Sequence, residues 1–130
     1  MRLVQVYTPP TPSIADFQIA GGTLTRNTAG IETVSGLAFA PALAYFQSGD
    51  GIQLNANISI AVTMAGFNYL LGLTHDGTRS RRSASFCTYI MRDIDNSIRG
   101  ELTGFTPDGF TIDFTLTGIC ETRIQWVAIG

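Results

Sequence analysis

Strict alternation of apolar and polar residues is the feature that most constrains this chain. From Phe110 to Leu116, the side chains read Phe, Thr, Ile, Asp, Phe, Thr and Leu. A two-residue period places one set of side chains on each face of an extended chain, which is typical of a half-buried antiparallel strand. After a loop of residues 117–122, residues 123–129 alternate again, with Trp126 on the inward face. This second run predicts the pairing partner of the first.

Similar patterns continue upstream. Residues 57–63 alternate in the same way, with Ile58, Ile60 and Val62 on one face, and Ala42–Phe46 forms a short apolar run. Two further segments, Phe67–Thr74 and Ala84–Met91, are apolar on both faces, as are central strands of a sandwich or strands covered by a neighbour. The turn signals between these segments are Gly21–Gly22, Ala29–Gly30, residues 48–51, Asp76–Gly77 and residues 107–109.

These turn signals follow one another too closely to leave room for crossover helices. The sequence therefore predicts an all-β fold. We expect a two-sheet antiparallel β-sandwich of jelly-roll type, with eight to ten strands.

The N-terminal segment differs from the rest of the chain. Residues 8–13 contain three prolines, which remove hydrogen-bond donors and favour an extended polyproline conformation. They separate a short apolar strand, residues 3–7, that can pair with its own domain or with a neighbouring subunit. We therefore divide the chain into a strand and Pro-rich arm, residues 1–18, and a sandwich domain, residues 19–130. The candidate interface residues in the arm are Leu3, Val4, Val6, Tyr7, Pro9, Pro10 and Pro12.

The low charge of the chain constrains its surface and its partners. Charged residues are 14% of the sequence, against about 25% in an average soluble domain, and every cation is an arginine. The surface must therefore be covered by uncharged polar side chains or by other protein. A formal net charge of -2 argues against nucleic-acid binding, which needs a basic excess.

Nothing in the sequence predicts a membrane segment or a secretory signal. The N-terminus has no apolar run of signal-peptide length. The longest apolar stretch, residues 36–46, is interrupted by Pro41 and falls far short of the roughly 20 residues that span a bilayer. These features predict a soluble protein made in a cytoplasm, in which Cys87 and Cys120 are buried free thiols rather than a disulfide.

Catalytic and metal-binding patterns are weak. His75, the single histidine, ends a predicted strand and is expected to be a turn residue, although Cys87 could pair with it as thiolate and base. Asp93 and Asp95 share a strand face and could bind calcium with Asn96, but a solvated loop is the favoured interpretation. The sequence therefore predicts no catalytic, metal or cofactor-binding residues, and the protein is not expected to be an enzyme.

One cluster of cations, Arg79, Arg81 and Arg82, lies in the predicted loop after Asp76–Gly77. Guanidinium groups pair bidentately with carboxylates and tolerate burial at interfaces, so the cluster could hold a carboxylate-rich partner. A solvated hairpin tip explains it equally well. Nucleic acid is a weaker third alternative because the overall balance is acidic.

Two segments together resemble a domain of structural proteins in tailed-bacteriophage virions. In the first, Gly22–Gly30 has a Gly-Thr strand and a Thr-rich turn, and Val34–Phe46 follows with a Gly-x-x-Phe-x-Pro step. In the second, Phe105–Thr115 carries an Asp-Gly-Phe-Thr strand, and Ile124–Gly130 closes the chain with an aromatic-aliphatic-Gly strand. The resemblance covers roughly the body from residue 22 to residue 130, and residues 50–100 match only as strand-like sequence.

This resemblance implies a function without catalysis, because the family supplies capsid decorations, head fibres and tail-fibre or baseplate modules. It implies a capsid decoration, or cement, protein that stabilises the shell. The implied partners are the major capsid protein or other virion proteins and further copies of the chain, with a trimer favoured. The implied location is the virion, after synthesis in the host bacterial cytoplasm. The alternative is a tail-fibre or baseplate module that binds host-surface glycan, with Tyr7, Tyr69 and Tyr89 as candidate stacking residues.

Overall fold

The computed structural model describes residues 17–51, 58–64, 67–73 and 80–130, and every regular element in these ranges is a β-strand. The strands are β1 (Ile19–Arg26), β2 (Gly30–Val34), β3 (Leu43–Asp50), β4 (Ile58–Met64), β5 (Phe67–Leu73), β6 (Ser80–Ser83), β7 (Thr88–Asp93), β8 (Asn96–Thr106), β9 (Gly109–Thr117) and β10 (Thr122–Ile129).

The strands form two sheets. Six lie in the order β1-β10-β3-β4-β5-β6, and four lie in the order β2-β9-β8-β7. All neighbouring pairs are antiparallel. The prediction of an all-β fold with eight to ten strands in two antiparallel sheets is confirmed.

Aromatic side chains from both sheets meet in one core. The Phe46 ring on β3 contacts the Phe110 ring on β9 edge to face, with centroids 5.5 Å apart. The Phe110 ring meets Trp126 on β10 in the same manner at 5.3 Å. All three side chains are buried, so the two sheets pack across a shared apolar layer, as in a sandwich. The predicted inward faces of β9 and β10 are therefore confirmed.

The predicted pairing of the last two strands is wrong. The β9 strand pairs with β2 and β8, whereas β10 pairs with β1 and β3 in the other sheet. The loop between them crosses from one sheet to the other, and its Cys120 side chain is buried in the core. Burial of this apolar loop residue stabilises the crossing.

Two predicted turns lie inside strands. Gly21 and Gly22 belong to β1, and residues 48–50 belong to β3. A Cβ atom on Gly22 would lie 2.6 Å from Cζ2 of Trp126. Glycine at this position therefore permits the indole ring to lie directly on β1, a close approach rather than a turn. By contrast, the predicted turn at residues 107–109 is present between β8 and β9.

The N-terminal prediction lies almost wholly outside the described residues. Within residues 1–18, the structure describes only Phe17 and Gln18, which lead into β1. The seven candidate interface residues of the arm, Leu3, Val4, Val6, Tyr7, Pro9, Pro10 and Pro12, fall outside the described ranges, as do His75 and Arg79.

Candidate functional site

Strand β4 carries its large apolar side chains on the outside of the molecule. Ser59, Ala61 and Thr63 face the core and are buried, whereas Ile58, Ile60 and Val62 face outward. The alternation predicted from the sequence is therefore present, but its apolar face is not the buried one.

The reason lies in the strand that covers β4 from the other sheet. Strand β7 lies against the inner faces of β3 and β4. The Tyr89 backbone N–H donates a hydrogen bond to the Ser59 hydroxyl oxygen at 3.2 Å. Small side chains on the inner face of β4 permit this close approach, because interiors are packed without space for added methylene groups. The larger residues of β4 must then face outward.

The neighbouring strand β5 extends the same surface. Tyr69 and Leu71 face outward, whereas Leu70 is fully buried. Tyr69 lies directly opposite Val62, and Leu71 lies opposite Ile60. Six large apolar side chains on these two strands are between 37% and 49% exposed, and we call them the apolar face: Ile58, Ile60, Val62, Met64, Tyr69 and Leu71.

Strands on the other side of β4 continue the apolar face. Tyr45 on β3 lies opposite Val62, and Val127 on β10 lies opposite Tyr45. Both are partly buried. The apolar side chains thus run across four adjacent strands without a charged residue between them.

Charged side chains lie only at the margins of this outer surface, so far as its residues are described. Arg82 on β6 is exposed and lies opposite Leu71. Arg123 on β10 lies opposite Gly49, with its Nε 3.6 Å from the carboxylate of Glu121. An apolar centre with a polar rim is the arrangement found at protein–protein interfaces.

The outer surface of the four-stranded sheet is different. Its central strand β9 presents Thr111, Asp113 and Thr115, and the adjacent β8 presents Arg99 and Glu101. Such a mixture of hydroxyl groups and charges of both signs is typical of a solvated sheet face. The same molecule therefore has one outer surface suited to water and one suited to contact with protein.

The predicted arginine cluster is only partly described. Arg81 and Arg82 belong to β6 rather than to a loop, because the backbone there pairs with β5 at Gly72 and Leu71. Strand β6 is the edge of the six-stranded sheet, so Arg82 lies beside the apolar face. An arginine on an edge strand also discourages unwanted strand pairing.

The Asp93 turn is held by internal hydrogen bonds. The Asn96 side-chain nitrogen donates to both Asp93 carboxylate oxygens, at 2.8 and 2.9 Å, and the Asp95 N–H donates to one of them at 2.9 Å. These bonds, the Asn96 side chain first, lower the pKa of Asp93. Within the described ranges no group of three metal-ligating side chains occurs, and Asp93 and Asn96 serve to fix the turn.

Cys87 and Cys120 are free and buried, as expected from the sequence. Burial raises the pKa of the Cys87 thiol to about 12. Burial, followed by the nearby Asp50 charge, raises that of Cys120 to about 11. Both thiols are therefore protonated at neutral pH and behave as small apolar core residues.

A depression of about 540 Å³ lies on the same outer surface and shares Ile58 with the apolar face. It is lined by residues from β1, β3, β4 and β10, and its polar side chains include Thr23, Gln47, Arg123 and Gln125. Hydroxyl, amide and guanidinium groups there can hydrogen-bond to a polar ligand.

Comparison of the chain with protein-family models, with curated proteins and with solved structures found no match. In the portion of the chain that the structure describes, no helix is long and apolar enough to cross a membrane.

Proposed function

We propose that this protein is a non-enzymatic structural protein of a tailed-bacteriophage virion, most specifically a capsid decoration protein that stabilises the shell. The observation that carries the proposal is the apolar face on β4 and β5. Its partners are other copies of the chain, with a trimer favoured, and the major capsid protein or other virion proteins.

Exposure of the apolar face to water is energetically unfavourable. Monomeric soluble proteins rarely expose a large contiguous apolar patch. Covering apolar surface is favourable by roughly 25 cal/mol per Å². Six half-exposed apolar side chains on two adjacent strands therefore provide a strong drive toward assembly.

The virion assignment rests on the sequence resemblance, and one contact adds support to it. The two resembling segments meet at Asp108. Its carboxylate accepts the Gly36 N–H at 3.1 Å, and its carbonyl oxygen accepts the Leu37 N–H at 2.9 Å. The Gly-x-x-Phe-x-Pro step and the Asp-Gly turn therefore form one local unit, as parts of a single domain pattern would.

The strand order also supports the proposed jelly-roll type. The first two strands lie beside the last two, since β1 pairs with β10 and β2 pairs with β9. A ribbon formed by the two ends of a chain and divided between two sheets is a feature of jelly rolls. Here the meander β3-β4-β5-β6 extends one sheet beyond the four strands of the simplest form.

Purified virions test this function. Antibody labelling should place the protein on the capsid of particles made by the phage that encodes it. Particles from a phage lacking the gene should rupture at lower temperature, and adding the purified protein should restore their stability. Virions that contain none of the protein would contradict the proposal.

A glycan-binding tail-fibre or baseplate module is the second candidate. The observations that favour it are the depression beside Arg123, with its hydroxyl and amide side chains, and the exposed ring of Tyr69. A glycan array would show selective binding in this case, and antibody labelling would place the protein on the tail rather than on the head.

A further inference from the structure

We infer that the apolar face packs against the same face of other copies of this chain, around a rotation axis that passes close to Val62. This inference rests on the proposed structural role and names the surface and the occupant that such a role requires.

The distribution of charge identifies the occupant. In a closed symmetric oligomer, equivalent residues lie near one another around the axis, so a charged residue at the centre would meet its own copy. The described residues of the apolar face carry no charge. Surfaces that bind a different protein commonly use charges of opposite sign for recognition, and a face without charges is instead compatible with itself.

The marginal position of Arg82 agrees with this arrangement. It lies two strands away from β4, at the edge of the sheet. At about 4.8 Å between strands, this places it about 10 Å from the strand that would lie at the axis. The arginines of different copies can therefore remain in water while the apolar centre is covered.

The size of the surface fits a modest interface. The seven residues of β4 give a strand length of about 23 Å, and the four adjacent strands β5, β4, β3 and β10 give a width of about 19 Å. The corresponding footprint is roughly 440 Å² per copy. Two copies therefore cover about 900 Å², which is near the lower end of the sizes found for specific interfaces.

Side-chain shape favours sheet-on-sheet packing. The outward residues Ile58, Ile60 and Val62 are β-branched and stand on alternate positions of one strand. Two such faces can interdigitate at the spacing of about 10 Å seen between packed sheets. This arrangement would repeat, between subunits, the layer that already joins the two sheets within each subunit.

Sedimentation equilibrium of the full chain tests the inference. The matched variants are Val62→Arg, at the centre of the apolar face, and Ile31→Arg, on the outer surface of the four-stranded sheet. Both replace an exposed β-branched residue on a strand, and Ile31 lies opposite Asp113, which can accept the new charge. The wild type and Ile31→Arg should sediment as two or three copies of the 14.0 kDa chain. Val62→Arg should weaken association by about 30-fold or more, as expected for a central interface residue.

Circular dichroism and thermal unfolding provide the folding control, since Val62 is 37% exposed in the subunit and its replacement buries no charge. If Val62→Arg unfolds, Met64→Arg at the end of the same strand gives a second measurement.

A wild type that sediments as a single chain at every concentration would overturn the inference. It would also be overturned if deletion of residues 1–16 abolished association while Val62→Arg did not, because the arm would then be the contact. A monomer that still binds virions would overturn only this inference, whereas an oligomer absent from virions would overturn only the proposed function.

Discussion

The Tyr89 backbone N–H on β7 donates a hydrogen bond to the Ser59 hydroxyl on β4 at 3.2 Å. This bond joins an edge strand of the four-stranded sheet to the inner face of the six-stranded sheet. The face of β4 that carries Ser59 is the buried one. Because side chains alternate along a strand, Ile58 and Ile60 face outward.

A larger side chain on the inner face of β4 should therefore destabilise the fold more than a smaller side chain on its outer face. In the monomeric Val62→Arg background, Ser59→Ile should destabilise the fold by about 1–3 kcal/mol, because added volume under β7 forces the sheets apart. Ile60→Ser should change the free energy of unfolding by less than about 1 kcal/mol, since its side chain is already 41% exposed. Urea titrations measure both, and a larger loss for Ile60→Ser would show that the assigned faces are reversed.

The aromatic contacts of Phe110 should dominate the stability of the core. Phe110→Ala removes a fully buried ring that touches Phe46 and Trp126, and should cost about 3–5 kcal/mol. In a domain stable by about 5–15 kcal/mol, this loss brings the protein close to unfolding. Ile31→Ala, at a 68% exposed position, is the control and should hardly move the denaturation midpoint. Similar midpoints for both variants would contradict the description of the core.

The ion pair between Arg92 and Asp50 should couple the two sheets. Arg92 Nε lies 3.6 Å from an Asp50 carboxylate oxygen that has no solvent exposure, and Arg92 Nη1 donates to the Ile119 carbonyl oxygen at 3.2 Å. Arg92→Met should cost about 3 kcal/mol or more, since it removes a cation from beside a buried carboxylate. The double variant Arg92→Met/Asp50→Asn should lose less stability than the sum of the single variants. Strict additivity in thermal unfolding would show that the pair is not coupled.

The Cys87 thiol should be unreactive in the folded protein. Burial raises the pKa of this thiol from its ordinary value of 9.0 to about 12, so the folded state binds the thiol proton more tightly than the unfolded state does. This preference stabilises the fold fully below pH 9 and is lost as the pH rises from about 9 to about 12. An aromatic disulfide reagent at pH 8 should label the thiol only after denaturant is added. Rapid labelling of the native protein would show that Cys87 is accessible.

Strands β9 and β4 differ in how well alternation in the sequence identifies the buried face. At β9, Asp113 and its neighbouring threonines mark the solvent face, so alternation alone identifies the buried set. At β4, neither face carries a charge, and residues 33–74 contain a single charged residue, Asp50. Alternation there fixes two faces without saying which is inside. The charge-poor segment was the available signal that this sheet can be covered on both sides.

Which strands pair, and which strand lies at the edge of a sheet, depends on contacts between residues far apart in the sequence. The loop between β9 and β10 is short enough for a hairpin, and only the pairing of β9 with β2 and β8 and of β10 with β1 and β3 reveals that it crosses between the sheets. The polar sequence of β6, Ser-Arg-Arg-Ser, favours a loop until its pairing with β5 is known. Local patterns therefore predicted the strands and the aromatic core, whereas the partner of each strand depended on tertiary packing.

Incorporation into virions tests most directly the central claim that the apolar face is the surface covered by protein. Phages carrying Val62→Arg or Ile31→Arg in place of the wild-type gene can be purified and the copies of this protein per particle compared. We expect near wild-type copy numbers for Ile31→Arg. For Val62→Arg we expect fewer copies per particle, because its affinity for the particle should be lower by at least about 30-fold. Equal copy numbers and equal affinities for the two variants would contradict the claim.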